Sequence, residues 1–111
     1  MLTKGLELFI TAHTADDRQV WANALADDLT LRAGGCTIIE SIGKYLDKFG
    51  RIWTEPSTVI LCGCDNAAEI AAAILPGLAA YAVNCEQESV YFLVDGVGQY
   101  HETKDLEAIL E

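Results

Sequence analysis

The chain has 111 residues, carries 17 Asp and Glu against 7 Lys and Arg for a formal charge of −10, and is 51% apolar. That length suits one domain. An apolar half that includes two Trp, four Tyr and three Phe excludes a disordered acidic tail, and no Ser-rich or Gln-rich tract marks a linker.

Taken in chain order, Leu6-Glu7-Leu8-Phe9-Ile10-Thr11 alternates loosely and predicts a strand. Thr14-Ala15-Asp16-Asp17 then resembles a capping box with Asp in place of Glu: the hydroxyl accepts from a free backbone N–H, and the acids favour the positive helix end. Val20, Trp21, Ala24, Leu25 and Leu29 follow at helical spacing, and Gly34-Gly35 ends the helix. Two strands are predicted next, about Thr37–Leu46 and Arg51–Cys64, around a turn at Asp47-Lys48-Phe49-Gly50. Pro56 divides the second of these into an irregular Arg51–Thr54 and a strand from Ser57.

Asp65 is the expected N-cap of a second helix carrying Ala67, Ala68, Ile70, Ala71, Ile74, Leu75, Leu78 and Tyr81. Pro76 should kink or divide that helix, because it removes a backbone donor and crowds the preceding turn. Ser89–Val94 is a clear strand, and Asp95-Gly96 is a hairpin signal that folds Val97–His101 back as a short edge strand. Thr103 caps a last short helix with Leu106, Ile109 and Leu110 on one side.

The order β-α-β-β-α-β, then a hairpin strand and a short helix, predicts an α+β fold: a ferredoxin-like two-layer sandwich with an antiparallel sheet. One domain covers 1–111, with a core of about 5–95 and a C-terminal extension of 96–111. Ala67–Val83, the longest apolar stretch, is interrupted by Glu69 and Pro76 and falls short of the roughly 20 residues of a membrane span. Met1-Leu2-Thr3-Lys4-Gly5 has neither a long apolar segment nor a small-residue cleavage site, so the expected compartment is the cytoplasm, with no membrane partner.

Cys36, Cys62, Cys64 and Cys85 do not have zinc-knuckle spacing. Cys62-Gly63-Cys64 puts two thiols on one strand face, where neighbours two apart seldom bridge, and core filling is the expected role.

Gly50-Arg51, Glu55-Pro56-Ser57-Thr58-Val59-Ile60-Leu61 and Gln87-Glu88-Ser89-Val90 together resemble a family of small bacterial proteins of unknown function. Its members share a Gly-x-Trp…Asp-x-x-Gly…Glu-x-Ser-x-Val hairpin and a Gln-Glu-Ser-Val start to the last core strand. The resemblance spans about residues 5–95 and departs at Gly43-Lys44-Tyr45, where the family has Trp in place of Tyr45. It implies the ferredoxin-like core and carries over no catalytic residue. On physical grounds, Gln87, Glu88 and Ser89 sit at a strand entrance, where polar side chains tie down the preceding loop.

Candidate chemistry is sparse. His13, at a strand-to-helix loop, is a conceivable general base with Asp16 or Asp17 as orienting partner, but no Ser or Cys nucleophile stands in a recognised motif. His13 and His101 are therefore expected to be solvent-exposed. Gly34-Gly35 precedes a strand and Gly96-x-Gly98 sits in a hairpin, so neither cradles phosphate. No catalytic residue, metal ligand or cofactor is assigned.

Charge is segregated: residues 32–51 sum to +2, with Arg32, Lys44, Lys48 and Arg51, while residues 52–111 sum to −9. This field opposes direct binding of nucleic acid. The strands are apolar on both alternation classes, which implies cover on both sheet faces. The second cover is either the terminal helix, through Leu106, Ile109 and Leu110, or a second copy of the chain, and a homodimer is expected. Two classes of function follow. The favoured one is a non-catalytic acidic interaction protein, an inhibitor or regulator that binds a protein partner through its acidic surface. The alternative is a dimeric α+β barrel, enzyme or sensor, with an apolar small-molecule pocket between sheet and helices lined by Phe9, His13, Tyr45, Trp53 and Tyr91.

Overall fold

A computed structural model describes residues 3–110, so Met1, Leu2 and Glu111, the ends of the expected domain, lie outside the described residues. Strand β1 (Leu6–Ile10) leads into α1 (Ala15–Ala33), then β2 (Thr37–Leu46), β3 (Ile52–Cys62), α2 (Ala67–Asn84), β4 (Ser89–Val94), β5 (Val97–Glu102), a short α3 (Thr103–Leu106) and a 3₁₀ turn (Glu107–Leu110). The sheet order is β2-β3-β1-β4-β5, with every neighbouring pair antiparallel. This is the expected ferredoxin-like α+β arrangement, with β1 and β3 inside the sheet and β5 added as an edge.

Local chemistry sets these elements. Thr14 caps α1 by accepting from the Asp17 N–H at 3.1 Å, and Gly34 ends the helix at φ +96°. Asp95 (φ +50°) and Gly96 (φ +79°) form the tight β4–β5 turn, for which two successive positive φ values are required. The Asp95 carboxylate also accepts from the Gly5 N–H at 2.9 Å, which fixes the entry to β1.

One face of the sheet packs against the helices. Leu6, Leu8 and Ile10 of β1 point into this layer with Ile60 and Cys62 of β3 and Val90 and Phe92 of β4. From α1 come Ala22, Leu25, Ala26 and Leu29; Val20 and Ala24, assigned to this stripe from their spacing, face solvent instead. From α2 come Ala67, Ile70, Ala71, Ile74, Leu78, Ala79, Tyr81 and Ala82. By length and apolar composition α2 would suffice to cross a membrane, and here its apolar face packs into this layer.

Several boundaries differ from expectation. Asn66, not Asp65, precedes α2, and Asp65 lies 3.8 Å from Lys4. Pro76 does not divide α2, which runs through it as one 18-residue helix with Pro76 on the exposed side. Nor does Pro56 divide β3, an unbroken strand of 11 residues in which Pro56 pairs with Ile42. The reason is positional: β1 stops opposite Thr58, so at Pro56 only one flank of β3 has a neighbour, and a missing N–H is tolerated there. Thr103 starts α3 but donates its hydroxyl to the Gln87 carbonyl rather than capping the helix.

The C-terminal segment packs on the helix side, with Leu106 buried beside α2, while Ile109 and Leu110 remain 40% and 47% exposed. It does not cover the second sheet face, where Ile39, Tyr91 and Tyr100 are exposed.

The end of β1 is held by Tyr81. Its buried hydroxyl accepts from the Thr11 N–H at 2.8 Å and donates to the Thr11 carbonyl at 2.6 Å. Tyr81→Phe leaves both backbone groups without this partner and should cost about 1–3 kcal/mol. Thermal denaturation should then show a fall in Tm of about 4–8 °C per kcal/mol, and an unchanged Tm would contradict this role.

Candidate functional site

β1 has five residues, whereas β2 and β3 have 10 and 11. Because β1 ends at Ile10 opposite Thr58, residues 41–46 and 52–57 pair only with each other and project as a two-stranded arm. On the other flank, β4 pairs with β1 only through Phe92–Val94, so its first half also diverges from β1. A bay opens beyond the end of β1. His13 lines its back, one wall is the arm, and the other is the α2–β4 connection Glu86–Ser89.

This bay is a cleft of about 860 Å³, within the range of about 300–1,000 Å³ usual for small-ligand sites. His13 lines it, with Tyr45, Leu46, Asp47, Lys48, Phe49, Arg51, Trp53 and Glu55 from the arm and Glu86, Gln87, Glu88 and Ser89 opposite. Strand parity places Tyr45 and Trp53 as direct partners on one face of the arm. Both are about half exposed, so their rings present open π surface.

Asp47 organises the arm's tip. Its carboxylate accepts from the backbone N–H of Phe49 at 2.8 Å and of Arg51 at 2.9 Å, and from the Trp53 indole N–H at 2.7 Å. The Trp53 bond, then the backbone N–H of Arg51, holds the Asp47 carboxyl below its usual pKa of 3.8. The Arg51 guanidinium lies over the Trp53 ring, 5.6 Å from its centroid. The opposite wall is tied down from behind: Gln87 accepts from the Thr11 hydroxyl at 2.8 Å and donates to the Cys85 carbonyl at 3.0 Å. The Thr103 N–H also donates to the Glu88 carbonyl at 2.9 Å. The tethering expected of Gln87-Glu88-Ser89 is thus supplied by the Gln87 side chain and the Gln87 and Glu88 carbonyls.

Of the five ligand-binding residues named from sequence, His13, Tyr45 and Trp53 come together here. Phe9 and Tyr91 do not. Their rings pack on each other across the uncovered sheet face, with centroids 5.8 Å apart. Tyr91 also lies over Gly98 of β5, where an added Cβ would fall 2.6 Å from its hydroxyl oxygen. The cleft therefore lies beyond the end of β1 rather than between sheet and helices, and its lining is mixed and charged rather than apolar.

His13 is exposed, as expected, but its carboxylate neighbour is Glu86 at 3.6 Å rather than Asp16 or Asp17. His101 departs from the expected exposure: it is half-buried and stacked on Phe92, centroids 5.5 Å apart. Sequence reasoning missed Glu55, Glu86 and Glu88. Glu55 and Glu88 lay inside the quoted Glu55-Pro56-Ser57 and Gln87-Glu88-Ser89 stretches, which were read as structural.

The cysteines stand apart from the cleft and all four are free. Burial, with neighbouring thiols adding to it, pushes Cys62 up to about 11. It is a neutral thiol at physiological pH and a poor nucleophile. Among the described residues no group of three or more His, Cys, Asp or Glu could hold a metal ion.

No protein-family model matches the chain, and neither does any curated protein. Among solved structures, it is similar to a phage SAM lyase in complex with S-methyl-5′-thioadenosine, with a TM-score of 0.53 and 17% identity over 92% of this chain and 93% of that one. A phage SAM lyase in the apo state matches with a TM-score of 0.52 and 18% identity, over 87% and 86%. At these identities the likeness shows the fold. It also overturns the expectation of a non-catalytic interaction protein, because the solved structures sharing this fold along nearly the whole chain are those of an enzyme. The lack of a familiar nucleophile motif and the segregated charge were the grounds for that expectation, and neither sets this fold apart from catalysis.

Two outcomes follow. Protonating Asp47 removes its hold on Trp53, and a carboxyl with a lowered folded pKa stabilises above its unfolded pKa and loses that contribution as pH falls through the folded value. Trp53 fluorescence, read in a Trp21→Phe background, should therefore stay constant from pH 7 to the usual 3.8 and change only below it. A transition centred above that value would contradict the hydrogen-bonded tip. Under native conditions a thiol reagent at neutral pH should label the half-buried Cys36 and Cys64 well before Cys62 and Cys85. Equal rates would show that the core does not protect them.

Proposed function

We propose that this chain is an enzyme acting on S-adenosylmethionine, with the cleft beyond β1 as its substrate site and S-methyl-5′-thioadenosine as a product. The observation that carries this reading is the coincidence of the fold match with the cleft's chemistry. S-adenosylmethionine is a nucleoside with a sulfonium cation, an ammonium and a carboxylate. The Tyr45 and Trp53 rings suit an adenine face. Glu55, Glu86 and Glu88 suit the cationic sulfonium and ammonium, and Lys48 and Arg51 suit the carboxylate.

S-methyl-5′-thioadenosine keeps the sulfur, its methyl group and the adenosine. The bond broken is then the one from sulfur to the four-carbon amino-acid chain, and sulfur takes the bonding electron pair to become a neutral thioether. In a lyase no water is added, so the departing fragment supplies its own electron pair: its carboxylate oxygen forms the new bond to the carbon that leaves sulfur, closing a lactone with no proton gained or lost. No side-chain nucleophile is then needed, and Ser89 in the lining has no such part to play. The chain's work is to select the substrate, orient it and exclude water.

Positive charge on sulfur fades as the bond breaks. Carboxylates near it therefore favour the ground state at least as much as the transition state, and their role is capture rather than acceleration. Incubation with S-adenosylmethionine should yield S-methyl-5′-thioadenosine, read by chromatography. Glu55→Gln should raise KM up to about fivefold, as for one exposed charge pair, with kcat little changed. Trp53→Ala should weaken binding further, because a stacked base contributes about 1–3 kcal/mol. Complete recovery of intact S-adenosylmethionine from the wild-type protein would refute the reading.

A further inference from the structure

Strand β5 is the last in the sheet order, so one of its flanks is open. The Asp95-Gly96 turn makes Val94 and Val97 a hydrogen-bonded pair, and the alternation of the ladder makes Phe92–Gln99 and Val90–His101 the next two. The Thr103 N–H, bonded to the Glu88 carbonyl at 2.9 Å, continues the same parity. Gly98 and Tyr100 therefore turn their N–H and C=O groups outward, off the edge of the sheet. Natural sheet edges are commonly guarded by Lys, Pro or a bulge. The β5 sequence contains neither Lys nor Pro, and its residues pair with β4 one for one from Val97 to Glu102.

A groove of about 240 Å³ lies on the helix side of this edge. Ala68, Ala71 and Ala72 of α2 form one wall, with Phe92, Gln99 and His101 from the sheet. The alanines are too short to reach across β5, so the helix leaves the edge strand uncovered. Gln99 and His101 point to the groove side, and residues of an added strand standing opposite them point there too. The residues between those meet the outward groups of Gly98 and Tyr100. Charge narrows the choice of strand. Residues 65–102, which build α2, β4 and β5, include six Asp and Glu and no Lys or Arg. Glu69 is exposed beside Ala68, and Asp95 and Glu102 stand at the two ends of β5.

We infer that this edge and groove take an extended segment of a partner protein, added to the sheet beyond β5, with apolar side chains at alternate positions and Lys or Arg at its ends. Backbone bonding to Gly98 and Tyr100 supplies attachment, the groove selects the alternate side chains, and the surrounding acid complements the basic ends. The occupant is a strand rather than a small ligand, because the backbone groups beside the groove repeat at the spacing of a strand. This inference stands apart from the cleft beyond β1 and from its substrate.

The probe is a fluorescent, end-capped peptide that alternates Val and Thr between terminal pairs of Lys. Its anisotropy should rise on titration with the full chain, and amide hydrogen exchange at Gly98 and Tyr100 should slow in the complex. A peptide of the same charge with Pro in place of its two middle Thr loses the N–H groups that face β5, and should bind about tenfold more weakly. Tyr100→Pro, which removes one outward donor, should weaken binding about 2–10-fold. Ala72→Phe, at an exposed helix position that keeps the fold, should weaken it as well by filling the groove. Equal binding of the Pro peptide would reduce the contact to charge attraction and overturn the inference. So would an unchanged anisotropy, protection at the cleft in place of β5, or protection of Gly98 and Tyr100 in the chain alone, which would mean that the edge is already paired with a second copy.

Discussion

The shortness of β1 is the constraint on which the rest of this molecule depends. Five residues in the middle of a sheet whose β2 and β3 run to 10 and 11 leave the end of the layer open. Without a strand to fill that space, β2 and β3 continue as a free arm, Pro56 sits in a strand without losing a ladder bond on its open flank, and β4 is free to diverge. The abrupt end of β1 would expose the backbone of Thr11, and Tyr81 meets this by pairing with both its N–H and its carbonyl. The Thr11 side chain in turn holds Gln87, so one residue joins the back of the bay to its far wall.

The bay concentrates what the chain otherwise scatters. Acidic residues predominate along the sequence, but basic ones gather in the arm, and the cleft is where the two meet. The same arm supplies exposed aromatic rings on its inner face and exposed aliphatic ones on its outer face, because successive strand residues point to opposite sides. Asp47 bonds the turn backbone and the Trp53 indole together, so that the tip and the inner face are set by one carboxylate.

Much of the fold was legible. The Thr14 cap, the Asp47–Gly50 turn and the Asp95-Gly96 hairpin are local signals whose chemistry is complete within four residues. The two prolines misled because their effect depends on distant partners: Pro56 is tolerated only because β1 ends where it does, and Pro76 because its side of α2 faces solvent. The site was partly legible. Tyr45, Trp53 and His13, singled out as aromatic or titratable residues near turns, line one cleft, whereas Glu55 and Glu88 join them without a local signal, because nothing nearby in the sequence shows that the strands around them part company. Phe9 and Tyr91 were misplaced because their alternation class gives a sheet face but not a position along it. The lack of a familiar nucleophile motif is no evidence against catalysis, because a reaction whose bonding electrons come from the substrate itself needs none.

On the reading proposed above, the bay beyond β1 is where an adenosine-bearing ligand binds. A crystal structure of this protein grown with S-methyl-5′-thioadenosine tests it most directly. The account predicts the adenine against Tyr45 or Trp53, with the thioether directed toward Glu55 and the Glu86–Ser89 wall. A ligand lodged in the apolar groove between α2 and β4–β5, beside Ala71, Phe92 and His101, would contradict it, as would an empty cleft at saturating concentration.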